Sequence, residues 1–148
     1  MNAHPLLAYV GSYTTAGRNG HGNGINVYTV DPRTGAFTHL QNVGGLENPS
    51  FLAIDPSGRF LYSVHGDRSE ATAFRIDQVT GRLHLLNRES TGGYNPVHLA
   101  LDTTGSFLVV ANYGSDSLAV LPIRTDGRLA SYSTLTPVEG TLGPHRVQ

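Results

Sequence analysis

The 148-residue chain contains no cysteine, no lysine and no tryptophan. Without cysteine it has no disulfide, no thiolate zinc site and no thiol nucleophile. Without lysine, a Schiff base, a phosphate-loop lysine and a Ser-Lys dyad are impossible within these residues. The ten basic side chains are all arginines spread singly, and with eleven acids the formal net charge is −1. No basic stripe exists to follow a nucleic-acid backbone or an anionic membrane, so neither is an expected partner. No apolar run reaches the roughly 18 residues of a membrane span. No basic segment followed by an apolar core opens the chain, and a cytoplasmic location is the expectation. Convincing helical periodicity is also missing. What remains is ordinary globular material, 39% hydrophobic and 14% charged, enough for one domain with a core.

The most informative feature present is a repeat. Residues 48–64 read NPSFLAIDPSGRFLYSV and residues 95–111 read NPVHLALDTTGSFLVVA, 47 positions apart with eight identities in register. A second signal, Asp31-x-x-Thr34-Gly35, recurs at Asp77-x-x-Thr80-Gly81, and a shorter version closes at Asp126-Gly127. A period of this size, with short apolar runs between Gly-containing turns, is that of one four-stranded propeller blade, which cannot bury its faces alone. Strand a is expected at 50–54 and 97–101, followed by the Asp-x-x-Gly turns at 55–58 and 102–105. Strand b, at 60–64 and 107–111, is nearly continuously apolar, which suits a strand covered on both faces. Strand c is expected at 25–30, 72–76 and 118–123, and strand d at 36–43, 83–88 and 129–135.

The fold class is therefore all-β: a β-propeller segment of about three four-stranded blades. The domain, 1–148, divides into a first blade with strands b–d only at 6–43, a second at 48–88, a third at 95–135, and a link toward a fourth at 136–148. The first unit lacks its strand a, because 6–12 aligns with strand b and nothing apolar precedes it.

Antiparallel pairing places the start of strand a and the end of strand b on one rim. That rim collects Ser12, Tyr13 and Thr14, then Asn48, His65, Gly66 and Asp67, then Asn95, Asn112, Tyr113 and Gly114. The opposite rim receives plain Asp/Gly turns. Polar and titratable groups thus gather at one mouth of the central channel, where a small ligand is expected. The candidate binding residues are His65, Asp67, Asn112 and Tyr113, joined by His145 and Arg146, a neighbouring pair suited to an anionic group. Asn48 and Asn95 read first as turn initiators before Pro49 and Pro96.

No pair of acids is spaced for general acid/base work, no histidine pair has metal-ligand spacing, and no metal or cofactor is expected. The glycine-rich insertion at 17–24 lacks the strand-then-helix context of a phosphate cradle and reads as a surface loop able to close over a ligand. His98 sits in strand a and is placed to look into the channel; His39 and His84 fall in outer strands.

Taken in order, Val10-Gly11-Ser12-Tyr13-Thr14, Gly24-Ile25-Asn26-Val27-Tyr28, Asn48-Pro49-Ser50-Phe51-Leu52, Gly58-Arg59-Phe60-Leu61-Tyr62, Val110-Ala111-Asn112-Tyr113 and the closing 143–148 resemble the seven-bladed propeller lactonase family, which includes 6-phosphogluconolactonases and carboxymuconate cyclases. The resemblance implies a ring of about 330 residues, of which this chain matches the N-terminal three blades. It implies hydrolysis of a sugar-acid lactone by residues of later blades, so no catalytic residue carries over to these positions. The rival reading is a non-catalytic propeller module for binding or protein interaction. An isolated three-blade arc leaves two apolar sheet faces bare, which implies self-association.

Overall fold

A computed structural model describes residues 6–141. Eleven strands form three antiparallel sheets. The first sheet is β1 (Leu6–Gly11), β2 (Ile25–Val30) and β3 (Phe37–Val43). The second runs β4 (Pro49–Ile54), β5 (Phe60–His65), β6 (Glu70–Ile76) and β7 (Leu83–Ser90). The third runs β8 (Pro96–Leu101), β9 (Phe107–Asn112), β10 (Ser117–Pro122) and β11 (Thr134–Pro137). Within each sheet the strands neighbour one another in chain order, the up-and-down meander of a propeller blade.

The alternation of side chains along β5 explains why its sequence is apolar throughout. Phe60, Tyr62 and Val64 pack on Leu99, Leu108, Val110, Ala119, Leu121 and Leu129 of the third sheet. Leu61, one residue out of phase, packs with Phe74, Ile76 and Leu83 against Ile25, Val27 and Leu46. All six residues of β5 are buried, because each face of the middle sheet has its own core.

Polar grips repeat at both seams. The Tyr9 hydroxyl donates to the Gly81 carbonyl at 2.9 Å, and one unit later the Tyr62 hydroxyl donates to the Gly127 carbonyl at 3.0 Å. Gln41 brackets Leu83, donating to its carbonyl at 3.0 Å and accepting from its N–H at 2.8 Å. Asn87 does the same to Leu129, at 2.8 and 3.0 Å. Each of these amides follows a register shift in its strand pair, between Val27 and Tyr28 and between Ala73 and Phe74. A bulge of this kind re-aims the next side chain, here toward the neighbouring blade. On the third sheet the repeat-equivalent positions hold Val109, 36% exposed, and Thr134, also exposed.

The outermost strand of the third sheet begins later than the sequence pattern places it. Leu129 makes only an isolated bridge to Ile123, and regular pairing starts with Thr134 opposite Val120. Five residues on one side span three on the other, so the third blade carries two extra residues where the second carries one. The link proposed for 136–148 starts inside this strand, and 142–148 lie outside the described residues.

The Asp/Gly turns of the opposite rim, the lower one, form where the Asp-x-x-Gly spacing places them. One Asp55 oxygen accepts from the N–H groups of Arg59 and Phe60 at 2.8 and 2.7 Å, and Asp102 repeats this with Ser106 and Phe107 at 2.8 Å each. The Thr104 hydroxyl and these N–H groups lower the Asp102 carboxyl to about 2.

Candidate functional site

The upper rim is built by two asparagines in left-handed backbone conformation, Asn48 at φ 41° and Asn95 at φ 51°. Asparagine tolerates that region better than most residues, and the following proline fixes the entry into strand a. Asn48 is 1% exposed, and its side chain crosses the seam. Its Oδ1 accepts from the N–H groups of Thr14 and Thr15 at 2.9 and 3.1 Å, and its Nδ2 donates to the Gly66 carbonyl at 3.1 Å. Asn95 repeats the reach, its Oδ1 accepting from the Asp67 N–H at 2.9 Å. The Asn95 carbonyl also accepts from the Tyr113 N–H at 3.1 Å, so one residue fixes both neighbouring upper loops.

The structure separates the sequence-derived candidates into two kinds. Asp67 and Tyr113 reach solvent. Asp67 (φ 64°) presents its carboxylate to Arg18, whose Nε and Nη2 donate to its two oxygens at 2.6 and 2.5 Å. This bidentate pair holds the Asp67 carboxyl below its usual range and keeps Arg18 protonated. Tyr113, 50% exposed, opens a short 3-10 turn, Tyr113–Ser115.

His65 and Asn112 instead point inward. His65 is fully buried, its Nδ1 2.8 Å from the Glu47 carbonyl and its Nε2 2.7 Å from the Thr72 hydroxyl. A carbonyl only accepts, so Nδ1 carries the proton and Nε2 accepts from Thr72. Burial holds the imidazole below its ordinary pKa and therefore neutral. Asn112, 2% exposed, donates to the Thr91 carbonyl at 3.1 Å and to the Ser117 hydroxyl at 3.3 Å. His145 and Arg146 lie outside the described residues.

Arg18 was not among the sequence candidates. It rides on the 3-10 turn Ala16–Arg18 of the glycine-rich insertion, closed by Asn19 in left-handed conformation. The insertion folds back tightly: a Cβ on Gly20 would lie 2.6 Å from the Tyr13 carbonyl oxygen, so glycine is required there. The Arg18 guanidinium also lies 5.7 Å from the centre of the Tyr13 ring. Its only sequence signal is a lone arginine in a loop facing the next blade's acid, 49 residues away. Beside Asp67 an open hollow of about 630 Å³ is lined by Arg68, Glu70, Arg88, Glu89 and Tyr94. Arg68 pairs with Glu47, and Arg88 with Glu70 at 3.5 Å. On the channel side, the rings of Phe51 and His98 meet at 4.4 Å across the innermost strands. Among the described residues no three His, Asp or Glu side chains converge as a metal site.

One three-stranded and two four-stranded antiparallel sheets, packed face to face and joined by repeated grips, define a β-propeller segment. The sequence profile of the seven-bladed β-propeller lactonases matches residues 7–148, and the chain belongs to that family. It is 36% identical over 128 residues to the 6-phosphogluconolactonase of Formosa agariphila, covering 82% of this chain and 35% of that protein. It is 31% identical over 144 residues to the Bacillus subtilis 6-phosphogluconolactonase, covering 96% of this chain and 40% of the relative. Among solved structures, the periplasmic gluconolactonase of Pseudomonas aeruginosa superimposes with a TM-score of 0.74 at 34% identity, over 87% of this chain and 37% of that one. The chain thus spans well under half the length of the relatives it matches.

Proposed function

We propose that the upper rim contributes substrate contacts to a lactone hydrolase resembling 6-phosphogluconolactonase, and that the groups performing the hydrolysis lie outside these 148 residues. The observation that carries this reading is the family match across residues 7–148, with curated relatives that bear that enzyme's name. In such a reaction water attacks the ring carbonyl, a base takes its proton, and cationic donors stabilise the oxyanion and hold the anionic end of the sugar acid. The two titratable candidates of the described rim are already engaged, since the imidazole of His65 is buried and doubly hydrogen-bonded and Asp67 is held by Arg18.

The rim supplies binding chemistry instead. Asp67, Arg18 and Tyr113 offer acceptors and donors to hydroxyls, and Asn112 and His65 shape the loops from beneath; His145 and Arg146, outside the described residues, are the proposed donors to a carboxylate or phosphate. Titration of the chain with 6-phosphogluconate, followed by amide chemical shifts, is expected to move Asp67, Tyr113 and Arg146 while leaving the lower-rim turns still. Shifts confined to the lower rim overturn the placement. Incubation with 6-phosphogluconolactone is expected to give no rate above spontaneous hydrolysis, and a clear excess overturns the assignment of the chemistry elsewhere.

A role in carbohydrate metabolism and a cytoplasmic location complete the proposal. Subcellular fractionation tests the location, given that the Pseudomonas aeruginosa relative is periplasmic. Exposed Leu6 and Phe37 on one outer sheet face, and Phe107 and Leu118 on the other, support self-association of the isolated chain. Size-exclusion chromatography giving a concentration-independent monomer would overturn that part.

A further inference from the structure

Each internal seam is closed at its lower end by a knob and a socket. In the first, the Leu7 side chain of β1 lies over Gly81, where a Cβ would fall 2.4 Å from it. In the second, one unit later, the Phe60 ring of β5 lies over Gly127, where a Cβ would fall 2.2 Å from the ring. Both glycines hold left-handed backbone, at φ 77° and 84°. Their carbonyls take the hydroxyls of Tyr9 and Tyr62, and Leu83 and Leu129, two residues further on, are buried in the seams.

The first sheet carries the same socket, empty. Its turn ends in Gly35 at φ 73°, and nothing lies within 4 Å of a Cβ built there. Phe37 stands opposite Val30 as Leu83 stands opposite Ile76, yet it is 63% exposed. Its ring lies 5.5 Å from that of Tyr28, which holds the register position of fully buried Phe74. The third sheet carries the matching knob, unused. Phe107 takes its N–H bond from an Asp102 oxygen as Phe60 does from Asp55, but Phe60 is covered and Phe107 is 43% exposed. Val109 and Leu118 extend the same face.

We propose that a second copy of this chain fills the socket: Phe107 of one copy seats over Gly35 and against Phe37 of the other, so that unlike faces pair head to tail as they do at the two internal seams. The proposal rests on the self-association reading given above and adds which faces meet. Two first-sheet faces set together would offer two sockets and no knob, and two third-sheet faces two knobs. Only unlike faces reproduce a contact that the chain already makes twice within itself. Such a contact is heterologous, so a pair still carries one free knob and one free socket. With Val109 where Tyr62 stands in the second sheet, the Gly35 carbonyl receives no hydroxyl, and the joint is weaker than the internal seams.

The experiment is sedimentation velocity of the 148-residue chain over a concentration series, alongside Phe37→Asp, Phe107→Asp and Val109→Tyr. Each aspartate variant alone is expected to associate at least about tenfold more weakly, because it has lost one of the two faces that must meet. An equimolar mixture of the two is expected to recover a complex that stops at one copy of each, the intact third sheet of one variant meeting the intact first sheet of the other. Val109→Tyr restores the missing hydroxyl and is expected to tighten association about fivefold. Far-UV circular dichroism checks that each variant folds, and where an aspartate variant does not, the Val109→Tyr chain decides. Association unchanged in either aspartate variant, or no recovery on mixing, overturns head-to-tail docking while self-association stands. So does a Val109→Tyr chain that associates no more tightly than wild type. A wild-type monomer at every concentration overturns both readings.

Discussion

The two seams of this molecule are made of the same parts, yet they differ at one end. Along the lower and outer edges they are near copies, with Tyr9 and Tyr62 each donating to a glycine carbonyl and Gln41 and Asn87 each bracketing a backbone leucine. At the upper rim they diverge. Asn48 closes the first seam with bonds to Thr14, Thr15 and Gly66, and the Arg18–Asp67 pair crosses above it. Asn95 closes the second by way of the Asp67 N–H, and no ion pair between described residues crosses there. The repeated grips hold blades in register, and the unrepeated ones sit on the rim proposed above to meet the substrate. Structural roles can be copied from blade to blade, whereas a binding mouth needs a different residue from each.

The strongest test of the shared part is core truncation. Leu108→Ala and Leu61→Ala remove a fully buried side chain from the second and first seams respectively. Each is expected to lower the unfolding free energy by about 2–5 kcal/mol in urea titration. A much smaller loss for one of them breaks the equivalence of the seams.

Next in size comes the rim, where the asparagines are expected to be unequal. Asn48→Ala strands the N–H groups of Thr14 and Thr15 and places alanine at φ 41°, for a loss of about 2–4 kcal/mol. Asn95→Ala strands the Asp67 N–H and is expected to cost about half as much, by the same denaturation measurement. Equal losses would erase the difference drawn between the two upper rims.

Tyr62→Phe leaves the Gly127 carbonyl unpaired inside the second seam, an expected loss of about 1–2 kcal/mol. The same change at Tyr9, which is less buried, should cost less, and a reversed order would refute the burial argument. The smallest effect is expected from Arg18→Ala. Its ion pair is exposed, so the unfolding midpoint should barely move, while hydrogen exchange across 16–24 accelerates. At about 1 M salt the wild-type loop should approach the variant's exchange rate.

Much of this was legible in the residues. The register between 48–64 and 95–111 located β4, β5, β8 and β9, since a buried strand pair leaves a continuous apolar run. The start of β11 was not, because its two extra residues carry no pattern that distinguishes a bulge from a strand. The rim could be assigned from topology, but not the direction of its side chains. His65 and Asn112 end their strands, and strand alternation there turns both inward while Asp67 and Tyr113, one or two residues on, turn out. The partnership of Arg18 with Asp67 joins two loops of unrelated sequence. Gln41 and Asn87 escaped notice because the repeat conserves an amide there and not a residue.

Val109 and Thr134 give the third sheet a different future from the other two. A surface settling on that face finds a valine and a threonine where a phenol and an amide stood one unit earlier, so the hydroxyl-to-carbonyl grip and the amide bracket have no counterpart there.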